Sequence, residues 1–430
     1  MAKKETIQIE PLARVEGHGG IKVEITDNKV SNVEMRILEG PRLFETLVIG
    51  KTPEEDLSIV PRICAICNLS HKFASLRALE KALDVKIPEV TDYYRHLMHH
   101  GEILESHSLH LYFLALPDFL GYDNAIQMAD KYGDVVEKAL QLKQFGNKIM
   151  RTMGGRMIHG ENPILGGYGK LPDNKTLMEI KKEAQELLKF AVETIDIMAS
   201  ITVPDHMERE TQFLCCKPPH DGYDYYGDEF ITSDGKVHPV EDYKNVIKER
   251  VVSHSFAKRS QYNGKSFSVG ALARVLLLGD RLTGEAKKAY EKLYNERWNR
   301  NPVYNNHAQA IEQVFSLEDL IHTIDQLLAM KPPEVAKRNR DSGTGTGAVE
   351  APRGTLVHHY EIKDGRTVTA DYITPTAMFL DDIEAFIRKS AEELLSKESR
   401  DGIELQFEII ARAYDPCISC SAHLVEVEFK

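Results

Sequence analysis

Two cysteine pairs dominate the chemistry that this sequence can support. Cys64 and Cys67 lie in Pro61-Arg62-Ile63-Cys64-Ala65-Ile66-Cys67-Asn68-Leu69-Ser70-His71, and Cys417 and Cys420 in Asp415-Pro416-Cys417-Ile418-Ser419-Cys420-Ser421-Ala422-His423. Soft thiolates in such pairs suit zinc, nickel or iron, and spacing alone does not choose among them. In the first frame, a helix with Pro61 in its first turn places Cys64, Cys67 and His71 on one face. In the second, Asp415 is a candidate N-cap and Pro416 a candidate first helical residue. Both frames predict thiols at helix starts, where the dipole favours the thiolate. Cys-x-x-Cys by itself favours a structural zinc site, but zinc modules place their pairs within tens of residues. Here nearly the whole chain separates Cys67 from Cys417. A metal joining such distant segments points to a central site rather than a local staple. Six cysteines are too few for a disulfide scaffold, and adjacent Cys215 and Cys216 have no motif role.

The elements that must position these thiols follow from periodicity. Ile21-Lys22-Val23-Glu24-Ile25 and Val33-Glu34-Met35-Arg36-Ile37 alternate as strands about an Asp27-Asn28-Lys29 turn. Leu69, Phe73, Leu76, Leu79 and Leu83 mark a helical face, and helical patterns continue through about 92–116, 126–152, 174–201, 270–298 and 308–330. The expected division is a β-rich segment over 1–50 and a helical core with the first pair over 51–216. An irregular insertion over 217–269, a helical segment over 270–330 and a linker with β structure over 331–375 follow. C-terminal helices with the second pair close the chain over 376–423, before a tail at 424–430. The predicted class is mainly α with small β regions (α+β), a central helical bundle enclosing a buried metal site.

Composition narrows the function. With Lys+Arg 54 against Asp+Glu 66, the net charge of −12 disfavours nucleic acid and anionic membrane surfaces. No run approaches the length of a membrane span; even Ala271–Gly279 is interrupted by Arg274. Met1-Ala2-Lys3-Lys4-Glu5 is not a signal peptide, so a cytoplasmic location is expected. Gly343-Thr344-Gly345-Thr346-Gly347 lacks the third glycine of a dinucleotide fingerprint and the Lys-Ser/Thr of a P-loop, and reads as a flexible turn. His107 and His110, one helical turn apart, lack the acidic companion of a zinc-protease motif and read as structural or as supports of the site.

Taken together, these motifs resemble the large subunit of nickel–iron hydrogenases, and the resemblance covers essentially the whole chain. Arg62, Cys64, Cys67 and His71 match the family's Arg-x-Cys-Gly-x-Cys-x-x-x-His, with Ala65 replacing the glycine. Asp415, Pro416, Cys417, Cys420 and His423 match its Asp-Pro-Cys-x-x-Cys-x-x-His/Arg. Arg14-Val15-Glu16-Gly17-His18, Arg42-Leu43-Phe44-Glu45, His107 to Tyr112 with Asp118, Gly154-Gly155-Arg156 and Glu350-Ala351-Pro352-Arg353-Gly354 resemble further segments in the expected order. Leu43 departs from the glycine of Arg-Gly-x-Glu, and Pro375-Thr376-Ala377 follows its segment only loosely.

The resemblance implies four thiolates holding nickel, with Cys67 and Cys420 bridging to an iron that carries carbon monoxide and cyanide. It implies heterolytic cleavage of dihydrogen, the proton passing to a nearby base. Glu16 would relay protons to the terminal thiolate of Cys417; its alternative is a surface ion pair. Arg353 would cover the open metal position, oriented by Asp118 and Asp415, whose alternatives are a loop aspartate and a plain helix cap. Glu45 and His423 would bind a third metal, magnesium or iron, unless Glu45 is a solvated helix residue. His71 would hydrogen-bond a bridging thiolate or be a core histidine, and Thr376 would donate to cyanide.

An iron–sulfur small subunit is the implied partner, since no cysteines remain here for an iron–sulfur cluster. Flavin- and iron–sulfur-bearing diaphorase subunits, a maturation protease and nickel-insertion factors are implied as well. The branch indicated passes electrons to NAD(P) or to sulfur or polysulfide; heterodisulfide-linked and deazaflavin-linked branches are alternatives. The related quinone-site subunit of respiratory complex I lacks the cysteine pairs. A non-catalytic hydrogen sensor would share the ligands, whereas a zinc-stapled scaffold would hold no nickel. The tail Leu424 to Lys430 continues past the histidine at which mature family chains end, and is expected to be removed after nickel insertion.

Overall fold

Alternating apolar and polar residues build the first sheet in the computed structural model, which describes residues 3–397 and 402–422. Lys4–Ile9, Gly19–Thr26 and Lys29–Ile37 form three antiparallel strands in chain order. Ile21, Val23 and Ile25 are buried together with Val33, Met35 and Ile37, the outcome that period-two patterning requires. Asp27 and Asn28 turn the chain with positive φ, which short polar side chains tolerate better than most.

The helical body consists chiefly of Asn68–Ala82, Glu89–Ser108, Ala125–Gly154, Asn174–Ser200, Tyr304–Ala329 and Pro375–Ser396. The Glu89–Ser108 helix packs against both Ala125–Gly154 and Tyr304–Ala329, and the latter lies on Asn174–Ser200. Two of these helices meet at glycines: a Cβ on Gly146 would stand 2.4 Å from the carbonyl oxygen of Gly101. The Glu89–Ser108 helix then widens into a π-helical stretch, Leu109–Ala115, before the short Leu116–Leu120 helix. Over 270–298 the expected continuous helix is broken. Ala271–Leu278 and Gly284–Leu293 are joined by the 3-10 turn Gly279–Arg281, and Gly279 sits against the ring of Tyr290.

A second antiparallel sheet, Gly343–Ala351, Gly354–Lys363 and Arg366–Ile373, packs on the Asn68–Ala82 helix. This corrects the expected flexible turn at Gly343–Gly347, which is a strand. Cβ atoms on Gly343, Gly345 and Gly347 would lie 2.2, 2.1 and 2.4 Å from the carbonyls of Ala82, Ala78 and Ala74. Alternate glycines thus let the strand lie directly on the helix backbone, aided by alanines one turn apart. The 212–268 region carries a four-stranded sheet made of Phe267–Ser268, Gln212–Lys217, Glu229–Thr232 and Val237–Pro239. Among the described residues, no helix is long and apolar enough to cross a membrane. The expectations for His423 and the tail lie outside the described residues.

Candidate metal centre

The two ends of the chain meet at sulfur. Sγ of Cys64 lies 3.3 Å from that of Cys417, Cys67 lies 3.0 Å from Cys420, and Cys417 lies 2.8 Å from Cys420. All four ligand atoms fall within 4.8 Å of one another, all four residues are buried, and none is in a disulfide. With metal–sulfur bonds of about 2.3 Å, sulfurs arranged tetrahedrally on one ion stand about 3.8 Å apart, so four sulfurs gathered this closely are near enough to share a metal with small adjustments of the side chains. Its acid–base chemistry agrees. The other three thiols, Cys417 foremost, donate toward Cys64 and push it well below the ordinary thiol range. Burial pushes Cys417 and Cys420 well above it. Without a cation the set cannot become four thiolates; a soft divalent ion removes that barrier.

The helices that present these thiols begin later than spacing suggests. Pro61 belongs to the short 3-10 turn Val60–Ile63, Cys64 is extended, and Cys67 is the N-cap of the helix starting at Asn68. Cys64, Cys67 and His71 therefore do not share one helical face. Asp415 is likewise not a cap. Cys417 takes that position before Ile418–Ser421, while Asp415 adopts positive φ. The reason is electrostatic: a fully enclosed carboxylate needs a cation more than a short helix needs a cap. Oδ1 of Asp415 accepts from Nε of Arg353 at 3.1 Å, and Oδ2 accepts from Gln309 at 3.1 Å. Burial would raise the Asp415 carboxyl, but Arg353 holds it below its ordinary value.

Around the sulfurs, Glu16 touches both backbone and ligand. Its Oε2 lies 3.1 Å from Sγ of Cys417 and accepts the Ser419 N–H at 3.1 Å, while Oε1 accepts the Ser419 hydroxyl. Thr376 Oγ1 accepts the Cys417 N–H at 2.9 Å. Arg353 is enclosed; beyond Asp415, the charges that act on it are those of Cys417, Cys67 and Cys64. Among the described residues neither its Nη1 nor its Nη2 has a hydrogen-bond partner; Nη2 keeps an ion-pair contact with Oδ1 of Asp415 at 3.1 Å, which leaves Nη1 as an orphaned donor of the kind a ligand-binding centre leaves. His71 Nδ1 is hydrogen-bonded to His358 Nε2 at 3.0 Å, and burial lowers the His71 pKa to about 4.

Asp118 is placed differently from expectation. Its carboxylate pairs with Arg14 and, at 2.8 Å, with Nε of Arg412. It ties the segment before Glu16 to the helix before Cys417 instead of reaching Arg353. Two arginines offer more donors than a shared one, so the carboxylate is held there. Glu45 accepts the Tyr372 N–H at 3.0 Å beside Lys258, Asp371 and Glu249, and burial raises it to about 7. His107 and His110 are not a metal pair: they bond Glu312 and Gln309 respectively.

Sequence reading missed Glu102. This enclosed carboxylate accepts the N–H groups of Leu69 at 2.7 Å and Ser70 at 3.0 Å, capping the helix that follows Cys67 from a neighbouring helix. The available signal was a glutamate on an otherwise buried helical face, which requires a partner.

The comparisons with known proteins follow this geometry. The pattern of the family described as nickel-dependent hydrogenase matches residues 42–138 and 220–423, and a HoxL-like pattern matches residues 6–39. The chain is 42% identical to sulfhydrogenase 1 subunit alpha of Pyrococcus furiosus over 98% of each chain. It is 39% identical to sulfhydrogenase 2 subunit alpha of the same organism, over 98% of this chain and 100% of that one. The fold matches a chain of an NAD+-reducing nickel–iron hydrogenase in the H2-reduced state with a TM-score of 0.89 and 26% identity. That match covers 98% of this chain and 100% of the other. Tetrathiolate geometry, family pattern and whole-length relatives agree: this chain belongs to the nickel-dependent hydrogenase family, as a large subunit.

Proposed function

We propose that Cys64, Cys67, Cys417 and Cys420 hold the nickel of a hydrogenase, with Cys67 and Cys420 also bridging to an iron that carries carbon monoxide and cyanide. The observation that carries this reading is the convergence of four buried, disulfide-free sulfurs from opposite ends of the chain. When bound, such a centre supplies the site at which dihydrogen is split heterolytically and re-formed. The chain's own residues would handle the proton and the geometry. Glu16 exchanges a proton with Sγ of Cys417, from which it is 3.1 Å away, and being only half-buried can pass it outward. Arg353 stays protonated and acts by its field, oriented by Asp415. Thr376 donates to a cyanide, and His71 supports a bridging thiolate. Glu45, with His423, binds a third cation, magnesium or iron. Asp118 braces the segments bearing Glu16 and Cys417.

Electrons leave through an iron–sulfur small subunit and, by way of flavin- and iron–sulfur-bearing diaphorase subunits, reach NAD(P), sulfur or polysulfide in the cytoplasm. The names of the Pyrococcus relatives and of the NAD+-reducing neighbour support this branch. No iron–sulfur cluster is assigned to this chain, because Cys215 and Cys216 are side by side on a buried strand. Nickel-insertion factors load the centre and a maturation protease removes residues after His423. Metal analysis and infrared spectroscopy of the purified complex test the proposal. Nickel and iron with carbonyl and cyanide stretches are expected; zinc without such bands would refute it.

A further inference from the structure

Arg274 stands in an otherwise apolar helix, Ala271–Leu278, and is completely enclosed. An unpaired guanidinium there would be very costly, yet all five of its N–H groups find acceptors. Nε and Nη2 bond the two oxygens of Glu312 at 2.5 and 2.7 Å. Nη1 donates to Glu350 at 2.9 Å and to the Ala351 carbonyl at 3.0 Å, and Nη2 to the Pro352 carbonyl at 3.2 Å. Both carboxylates are held in turn. Glu312 accepts from Tyr223 and is bonded to His107, while Glu350 accepts from the Cys216 N–H and the Thr355 hydroxyl. Arg274 thus ends on the two carbonyls immediately before Arg353. Gly270, at the start of its helix, closes the same turn: a Cβ there would meet the Arg353 carbonyl at 3.0 Å.

We propose that Arg274 is a positioning residue for Arg353, aiming the Nη1 that has no hydrogen-bond partner among the described residues by gripping the Ala351 and Pro352 carbonyls against the Glu312 anchor. The inference rests on the hydrogenase reading above and assigns a role to a residue outside every family motif considered there. An apolar residue of similar volume could fill the space but could not hold the two carbonyls. Replacing a buried ion pair by well-packed apolar residues is often neutral or stabilising, so stability alone does not account for this one.

The test is a double-mutant cycle in the assembled, nickel-loaded enzyme, read by dihydrogen oxidation and by the infrared positions of the diatomic-ligand bands. Arg274→Lys keeps the charge and loses the planar fork. Misplacement of a reacting group by 1 Å costs on the order of 100-fold, and the smaller displacement here is expected to cost about 10-fold and shift the bands at unchanged nickel content. In an Arg353→Lys background, the same substitution should cost less than about 2-fold and leave the bands where Arg353→Lys alone puts them. Equal losses in the two backgrounds, or unmoved bands beside a lowered melting temperature, would overturn the proposal. If Arg274→Lys fails to load nickel, Glu350→Gln, which weakens one arm of the grip, enters the same cycle under the same criteria. An unmodified enzyme without nickel or diatomic bands would instead overturn the hydrogenase reading, so the two failures are distinguishable.

Discussion

The two cysteine frames read almost alike in sequence and are built differently. One helix begins directly after Cys67 and another directly after Cys417, and the first N–H groups of each are capped by a carboxyl group from a distant segment. Glu102 caps the helix after Cys67, and Glu16 caps the one after Cys417. The first helix runs fifteen residues, Asn68–Ala82, and is locked between a sheet and a neighbouring helix. The second runs only four residues, Ile418–Ser421, and takes its shape from Glu16 and Thr376. Glu102 is sealed in the interior, whereas Glu16 is half-buried and also touches a ligand sulfur. Under the proposed function, the same carboxyl-to-amide contact would serve anchorage at one end and proton transfer at the other, with solvent access separating the two roles.

Replacing the two carboxyl groups in turn should expose that difference. Glu16→Gln keeps size and one acceptor, so we expect dihydrogen oxidation to fall about 10³-fold with nickel content and melting temperature nearly unchanged. Parallel activity, metal and calorimetric measurements check this, and an active variant would remove Glu16 from the proton route. Glu102→Ala should do the reverse. It strands two enclosed N–H groups, costs about 3 kcal/mol of stability, and lowers nickel loading before it touches turnover per nickel. Denaturant midpoints together with turnover normalised to nickel read this out.

A smaller, pH-linked effect sharpens the contrast. Burial raises Glu102 to about 8 and Asp56 to about 7. For a carboxyl raised on folding, the native state holds the extra proton. The stabilisation is therefore complete below the ordinary carboxyl range and is lost progressively from there until pH passes the raised values near 7 and 8, above which the loss levels off. The melting temperature should decline across that window, and Glu102→Gln should flatten the decline; an unchanged slope would contradict the assignment. Smallest of all should be the loss of an exposed pair such as Lys148–Glu183, expected to cost less than about 1 kcal/mol in a denaturant titration.

Much of this organisation was legible in the residues. Period-two runs at Ile21–Ile25 and Val33–Ile37 became the first sheet, and the Leu69-to-Leu83 face became the cysteine helix. What escaped was set by tertiary electrostatics and close approach. Asp415 looks like a cap until an enclosed Arg353 competes for it. Asp118 is drawn away by Arg14 and Arg412, whose proximity depends on long-range folding. The glycines at 343, 345 and 347 read as a loose turn because their purpose, contact with a helix backbone, lies in another part of the chain. Glu102 carries no motif: a glutamate on an otherwise buried helical face signals that a partner is needed, and only the fold shows that the partners are the N–H groups of Leu69 and Ser70.

The most direct test of the central claim is X-ray absorption at the nickel edge of the purified enzyme. Four sulfur scatterers at about 2.3 Å are expected, falling to three when Cys417→Ser is examined. A first shell dominated by nitrogen or oxygen, or nickel bound without dependence on Cys417, would contradict it.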